Sequence, residues 1–267
     1  MTRTLARLLT AAAFALCVAP AAHAQDDDSV LKPAEPDFQL VSLPTALRLP
    51  KYKSAFLITH RFEGPLKHSG IGDLFGLDAG AQIGIEYRMG IVKNGQVGFY
   101  RTSDKTIQFF GEYGILRQGA KSPVEVAAVL SAEGTNNFKD SYSPSVGAVV
   151  SRRLGEFAAL YVVPTWVNNT NTLPKQLADN NDTITLGFGG RFRIRPTVYV
   201  VAEVTPRVSG YKPGTNQASF AIEKRAGGHM FQLNVSNGPA SMPASLARGA
   251  FSNDNWYLGF NLARKFY

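Results

Sequence analysis

The chain has 267 residues, 45% of them hydrophobic, with 28 Lys+Arg against 20 Asp+Glu and a formal net charge of +8. Its basic residues are scattered, which excludes a nucleic-acid-binding stripe. No stretch of 18 apolar residues is present, which excludes a transmembrane helix. One cysteine and no His-x-x-x-His pair leave no disulfide framework and no zinc site, and nothing in the sequence calls for a cofactor or metal.

Residues 1–24 read as a secretory signal peptide. Arg3 and Arg7 form the basic start, Leu8 to Val18 the apolar run, and Ala22-His23-Ala24 a small-x-small cleavage site. The cysteine, Cys17, lies inside it, and Leu16 before it lacks the small side chain that a lipoprotein signal needs. Residues 25–52 carry Asp26-Asp27-Asp28 and prolines at 33, 36, 44 and 50. Proline donates no ladder hydrogen bond, so this stretch makes a poor strand. It reads as a periplasmic N-terminal segment. Residues 25–52 can tuck into the barrel mouth, and for residues 25–40 a mobile tail is the other reading.

From residue 53 to 267, period-2 alternation dominates. In 81–89 the apolar set is Ala81, Ile83, Ile85, Tyr87 and Met89, against Gln82, Gly84, Glu86 and Arg88. In 183–194, Ile184, Leu186, Phe188, Phe192 and Ile194 alternate with Thr183, Thr185, Gly187, Gly189, Arg191 and Arg193. Successive strand residues point to opposite faces, so each stretch has one apolar and one polar surface. The spacing predicts about twelve strands, near 53–63, 81–89, 95–102, 105–117, 124–133, 145–154, 157–167, 183–194, 197–207, 217–226, 229–236 and 255–266. Long connections at 64–80, 134–144, 168–182, 208–216 and 237–254 alternate with short ones. The turn at Ser103-Asp104 breaks that rule.

Outward charges (Arg101, Arg117, Arg152, Lys224, Arg264) fall near strand ends, where a cation costs little, unlike at a bilayer midplane. Aromatics such as Phe62, Tyr87, Tyr113, Trp166, Phe192 and Trp256 also sit toward strand ends, as a girdle would. The fold these features predict is all-β: a closed antiparallel up-and-down transmembrane β-barrel with periplasmic N- and C-termini. The expected place is the outer membrane, with its lipid and the barrel assembly machinery as partners. Phe266 and Tyr267 supply the terminal assembly signal, the final aromatic being shifted by one place.

Several segments resemble an uncharacterised family of bacterial outer-membrane β-barrels, catalogued only as a domain of unknown function. They are Thr59-His60-Arg61-Phe62, Asp73-Leu74-Phe75-Gly76-Leu77-Asp78, Gly98 to Ser103, Lys105-Thr106, and Gly114-Ile115-Leu116-Arg117-Gln118. The resemblance covers residues 40–120 well and the later strands only as generic barrel. It implies the barrel fold and no activity.

By parity the inward face holds Arg61, Arg88, Arg153, Arg191, Arg193, Arg207 and Arg225, with Glu63, Glu86, Glu112, Glu125, Glu133, Glu203 and Glu223. Gln82, Gln108, Gln232, Asn234 and Asn261 add neutral polar groups. The first reading is a narrow porin-like channel for small polar solutes or ions, with these charges setting the field in its lining. The alternative is a sealed structural or interaction barrel in which they pair and fill the lumen. Twelve strands fall between eight-strand barrels that side chains fill and 16-strand open porins.

A barrel hydrolase is the third reading, and the residues disfavour it. His60 and His229 have no serine beside them on their face, and His68-Ser69 are adjacent in sequence, a poor geometry for base and nucleophile. Asp73, Leu74, Phe75, Leu77 and Asp78 belong to a first outer loop too apolar to wave freely, read as a constriction or a cap over the barrel mouth. The last loop, 237–254, is a second candidate to fold inward. Asn168, Asn169, Asn180, Asn181 and Asp182 read as a solvated polar loop.

Overall fold

A computed structural model describes residues 33–171, 182–250 and 252–267. The predicted signal peptide and loop residues Asn180 and Asn181 lie outside the described residues. Among the described residues twelve strands close into one antiparallel barrel: β1 (Ser54–Pro65), β2 (Ala81–Val92), β3 (Gly95–Thr102), β4 (Ile107–Leu116), β5 (Glu125–Gly134), β6 (Asp140–Leu154), β7 (Ala158–Val167), β8 (Thr183–Arg195), β9 (Val198–Thr205), β10 (Gln217–Ala226), β11 (His229–Ser236) and β12 (Tyr257–Phe266). Past Pro206, Arg207–Ser209 continues β9 against β8. Each strand pairs with its neighbour in sequence, and β1 closes the ring on β12, from Ser54 opposite Phe266 to Arg61 opposite Gly259. Closure leaves no free sheet edge, as a bilayer requires.

Alternation sets the faces. Ile83, Ile85, Tyr87, Met89 and Ile91 of β2 are exposed on the outside, as are Phe188, Phe192 and Ile194 of β8 and Phe231 and Leu233 of β11. The partners between them in sequence, such as Glu86, Arg88, Arg191 and Gln232, are buried inside. An apolar outer belt over a polar interior is the inverse of a soluble barrel and the form that lipid selects.

Two boundaries differ from the sequence expectation. The 134–144 connection is not long: β6 begins at Asp140, leaving a tight turn around Thr135–Phe138. Pro144 sits within β6 opposite Ala132, and its carbonyl still accepts from Asn168 N at 2.9 Å. Tyr142 and Phe138 pack edge to face with ring centroids 5.2 Å apart. The other difference is β9, which breaks at Pro206 where one run over 197–207 was expected.

The lumen is occupied. Residues 33–50 enter from the end that carries the short turns, fold into a hairpin, and return to join β1. Leu40 N donates to Leu43 O at 2.8 Å and Thr45 N to Phe38 O at 2.9 Å, closing the tip around Ser42. Phe38, Leu40, Val41, Leu43, Ala46, Leu47 and Leu49 are all buried. From the opposite end, helix α1 (Pro243–Arg248) of the last long connection folds in and buries Ala244, Leu246 and Ala247. The two insertions meet where Ser42 Oγ donates to Ala240 O at 2.8 Å.

Candidate functional site

The site is the lumen wall around this hairpin. Glu203 of β9 accepts from three successive main-chain amides at the tip: Val41 N at 3.0 Å, Ser42 N at 2.9 Å and Leu43 N at 3.1 Å. The carbonyls just before the tip are met in turn. Arg191 of β8 donates to Gln39 O, Gln232 of β11 to Leu40 O at 2.7 Å, and Arg61 of β1 with Asn261 of β12 to Val41 O at 3.1 and 3.0 Å. Nearer the turn end, Gln96 of β3 accepts from Leu49 N at 3.1 Å and donates to Leu47 O at 3.0 Å. Six strands thus contribute side chains that satisfy one buried stretch of main chain, whose polar groups would otherwise be costly to desolvate.

Ion pairs tie the remainder. Arg191 binds Glu223 at 2.7 Å with both side chains fully buried, and Gln232 supports Glu223 at 2.7 Å. Arg88 pairs with Glu86 at 2.6 Å and lies over the rings of Phe38 and Phe110. Lys265 of β12 reaches Asp37 at 3.0 Å. Arg153 bridges Glu125 at 2.8 Å and Glu35 at 3.6 Å. Buried pairs hold a fold together only when their remaining donors and acceptors are also met, and here Gln39 helps two of them, its carbonyl accepting from Arg191 and its side-chain amide donating to Glu86 at 3.1 Å.

Shape complements polarity. Gly187 and Gly189 of β8 face inward where the hairpin's leucines press. A Cβ on Gly187 would lie 2.7 Å from Leu43 Cδ2, and one on Gly189 would overlap Leu40 Cδ1. A cavity of about 40 Å³ remains beside Ser42, Leu43 and Leu246, room for two or three waters.

The structure places Arg61, Glu86, Arg88, Glu112, Arg191, Glu203 and Glu223 inside the barrel. Glu112 accepts from Gln96 at 3.0 Å. Two assignments to the lining, Glu63 and Arg207, are corrected, and two more, Arg193 and Arg225, keep the inward face but lie at its turn-end mouth. Glu63 is exposed at the loop end, near the mouth of β1, above the closed lumen. Arg193 sits at the turn end, bonded to Pro196 O at 3.2 Å and paired with Glu156 at 3.3 Å. Arg225 is half-buried at that same end, beside the turn into β11. Arg207 follows the break at Pro206, so its guanidinium leaves the lumen and binds Tyr211 O and Arg248 O at 3.1 and 3.2 Å.

The first loop is corrected too. Asp73, Leu74, Phe75, Leu77 and Asp78 are exposed and neither constrict nor cap the barrel. Positive φ at Leu74 (46°) and Phe75 (57°) turns this segment back on itself, and only Gly76 is buried, against Gly64. The constriction at that end comes from α1, where Ala244 N donates to Glu133 at 2.7 Å.

Of the histidines, His60 stacks on Phe260 at 4.8 Å on the outer face, His229 meets Arg264 at 2.8 Å, and His68 lies in the exposed first loop. Phe266 faces outward, and Tyr267 turns back onto the cluster of Phe38, Leu47, Leu49 and Ala55. Sequence reasoning offered a tucked-in reading of the hairpin segment but missed which of its residues meet the wall, together with Gln96, Lys265 and the packing of its leucines on the two glycines of β8. A signal was present: Phe38, Leu40, Val41, Leu43, Leu47 and Leu49 are too apolar for a solvated tail.

The membrane bound beta barrel domain family, DUF5777, matches residues 37–266. The chain belongs to this family. The match begins inside the hairpin, so the family's domain includes most of the lumen filling as well as the wall. No curated protein matches the chain. Its fold is similar to that of the NanC porin, with a TM-score of 0.51 at 7% identity over 80% of this chain and 99% of that one. It is also similar to the COG4313 outer membrane channel from Pseudomonas putida F1, with a TM-score of 0.45 at 10% identity over 82% of this chain and 97% of that one. The chain is an outer-membrane β-barrel of porin-like fold.

Proposed function

We propose that the barrel is a gated conduit for small polar solutes, closed at rest by its own N-terminal hairpin, with both termini in the periplasm after removal of residues 1–24. One observation carries this reading. The wall around the hairpin carries charged and polar side chains (Arg61, Arg191, Glu203, Gln232, Asn261, Lys265) that water can solvate when it leaves, beside a smaller apolar patch of Val149, Val163 and Val201 that packs on its aliphatic residues. An apolar wall would exact a large penalty on opening. The seal is also separable, because the twelve strands close on one another without it. A twelve-strand barrel is wide enough that a removable insert leaves a water path.

A permanently sealed scaffold is the competing reading, favoured by the small residual cavity beside Leu43. Planar-bilayer recordings of the folded chain separate the two. The conduit gives discrete current steps between long closures, and Glu203→Ala raises the open fraction by releasing the hairpin tip. Silence in both proteins, with heat-shifted gel mobility showing that both are folded, would leave the scaffold.

A further inference from the structure

The contacts that hold the hairpin have a chemistry of their own. Val41 to Leu43 present three amides in a row to one carboxylate, and Gln39 to Val41 present three carbonyls in a row to Arg191, Gln232, Arg61 and Asn261. Gln96 repeats the pattern at Leu47 and Leu49 with its one amide. Nearly all of these bonds address main chain, which any polypeptide carries. Side-chain selection at the tip falls on two positions three residues apart, Leu40 against Gly189 and Leu43 against Gly187, and nearer the turn end on Phe38, which lies under Arg88 and packs with Ala55 and Tyr267. The hairpin's own side-chain bonds to the wall lie below the tip: Gln39 to Glu86 at 3.1 Å, Asp37 to Lys265, Glu35 to Arg153, and Arg48 to Leu116 O at 2.6 Å and Glu125 at 3.5 Å.

We propose that the lumen is a polypeptide-binding site and that the hairpin is its resident ligand. The site accepts, from the turn end, a segment of another chain that makes a tight turn with aliphatic side chains at the positions of Leu40 and Leu43. This rests on the reading that the hairpin leaves the lumen, and it names the class of molecule that takes its place. Main-chain recognition with alternate side-chain pockets is how proteins bind extended or turned segments of varied sequence. The resident segment holds the site by tethering, which gives it a high effective concentration that a free segment must exceed. Its tether is short and accessible: Lys51 and Tyr52 are exposed, Tyr52 at 74%, while Tyr52 N donates to Gly90 O at 2.7 Å.

The test uses the full chain with a specific protease site inserted between Lys51 and Tyr52, folded first and then cut. Folding is checked by heat-shifted mobility after cutting. A fluorescent synthetic peptide of residues 33–50 is then titrated and followed by anisotropy. The proposal expects saturable uptake by the cut barrel, and by the uncut one only at far higher peptide concentration, because there the tethered hairpin competes. It expects competition by an unrelated turn peptide that keeps the two leucines, and at least tenfold weaker competition when both are alanine. Glu203→Ala in the barrel lowers the affinity by a similar factor.

A folded, cut barrel that takes up no labelled peptide overturns the proposal. So does a scrambled peptide that competes as well as the native one. Because binding is read without current, a barrel that exchanges peptide yet never conducts refutes the conduit and leaves the peptide site standing.

Discussion

Glu203 does at the residue scale what an anion-binding turn does in reverse: three backbone amides converge on a carboxylate that the barrel supplies. Hydrogen bonds to a charged group are worth about 1.5–3 kcal/mol each, and they are not additive. Glu203→Ala therefore loosens the tip by about 2–4 kcal/mol. Amide exchange at Val41, Ser42 and Leu43 should rise roughly 30- to 1,000-fold, which follows from tenfold per 1.4 kcal/mol. Unchanged protection at those three amides would show that the tip is held elsewhere. Gln217→Ala serves as a contrast, because it contacts Ala240 rather than the hairpin. It should loosen residues 237–250 and, through the Ser42–Ala240 bond alone, raise exchange at the tip amides far less than Glu203→Ala does.

Among the elements, the fit of the hairpin to β8 is the sharpest case. Gly187 and Gly189 stand in an inward row that otherwise carries Thr183, Thr185 and Arg191. Gly187→Leu fills the space that Leu43 holds, and overpacking of this kind costs roughly 1–3 kcal/mol. The hairpin should become sensitive to protease at Lys51–Tyr52, and Leu43→Ala in the same chain should restore protection. Failure of that rescue would mean that the leucine and the glycine are not packing partners.

The same element shows what sequence could and could not say. The barrel wall was legible because period 2 leaves no other home for residues such as Ile83 to Met89 or Ile184 to Ile194. The inward set of β8 could be read off, glycines included, yet nothing local says what fills the space beside a glycine. The hairpin itself was hidden by its prolines. Pro36, Pro44 and Pro50 disqualify it as a strand, and its role comes from contacts more than 100 residues away in sequence, such as Glu203. Glu63 and Arg207 were misplaced for a related reason. Parity assigns a face but not a height, and both lie too close to the loop end to meet the closed lumen. The loop tip at Leu74 and Phe75 misled because apolar content alone does not reveal the left-handed turn that exposes it.

For the whole molecule, an apolar exterior and a plugged polar interior make separate demands. The exterior demand is tested by Leu130, which is 58% exposed midway along β5. Leu130→Arg should destabilise the folded barrel in lipid by roughly 2–4 kcal/mol, as a cation near the midplane does. Arg264→Leu, near the end of β12, should cost far less in the same denaturant titration. Equal effects would contradict the placement of the outer belt.

The interior demand is the account's central claim, that the barrel conducts only when the hairpin leaves its place in the lumen. Leu43→Cys with Gly187→Cys joins tip to wall where a Cβ on Gly187 would lie 2.7 Å from Leu43 Cδ2. The chain's one other cysteine is Cys17, so the pair is read cleanly in protein lacking residues 1–24. Single-channel current through this protein should be absent when the pair is oxidised and should appear as discrete steps after reduction. Steps of the same size and frequency in both redox states would contradict the account, because the current would then pass without moving the hairpin.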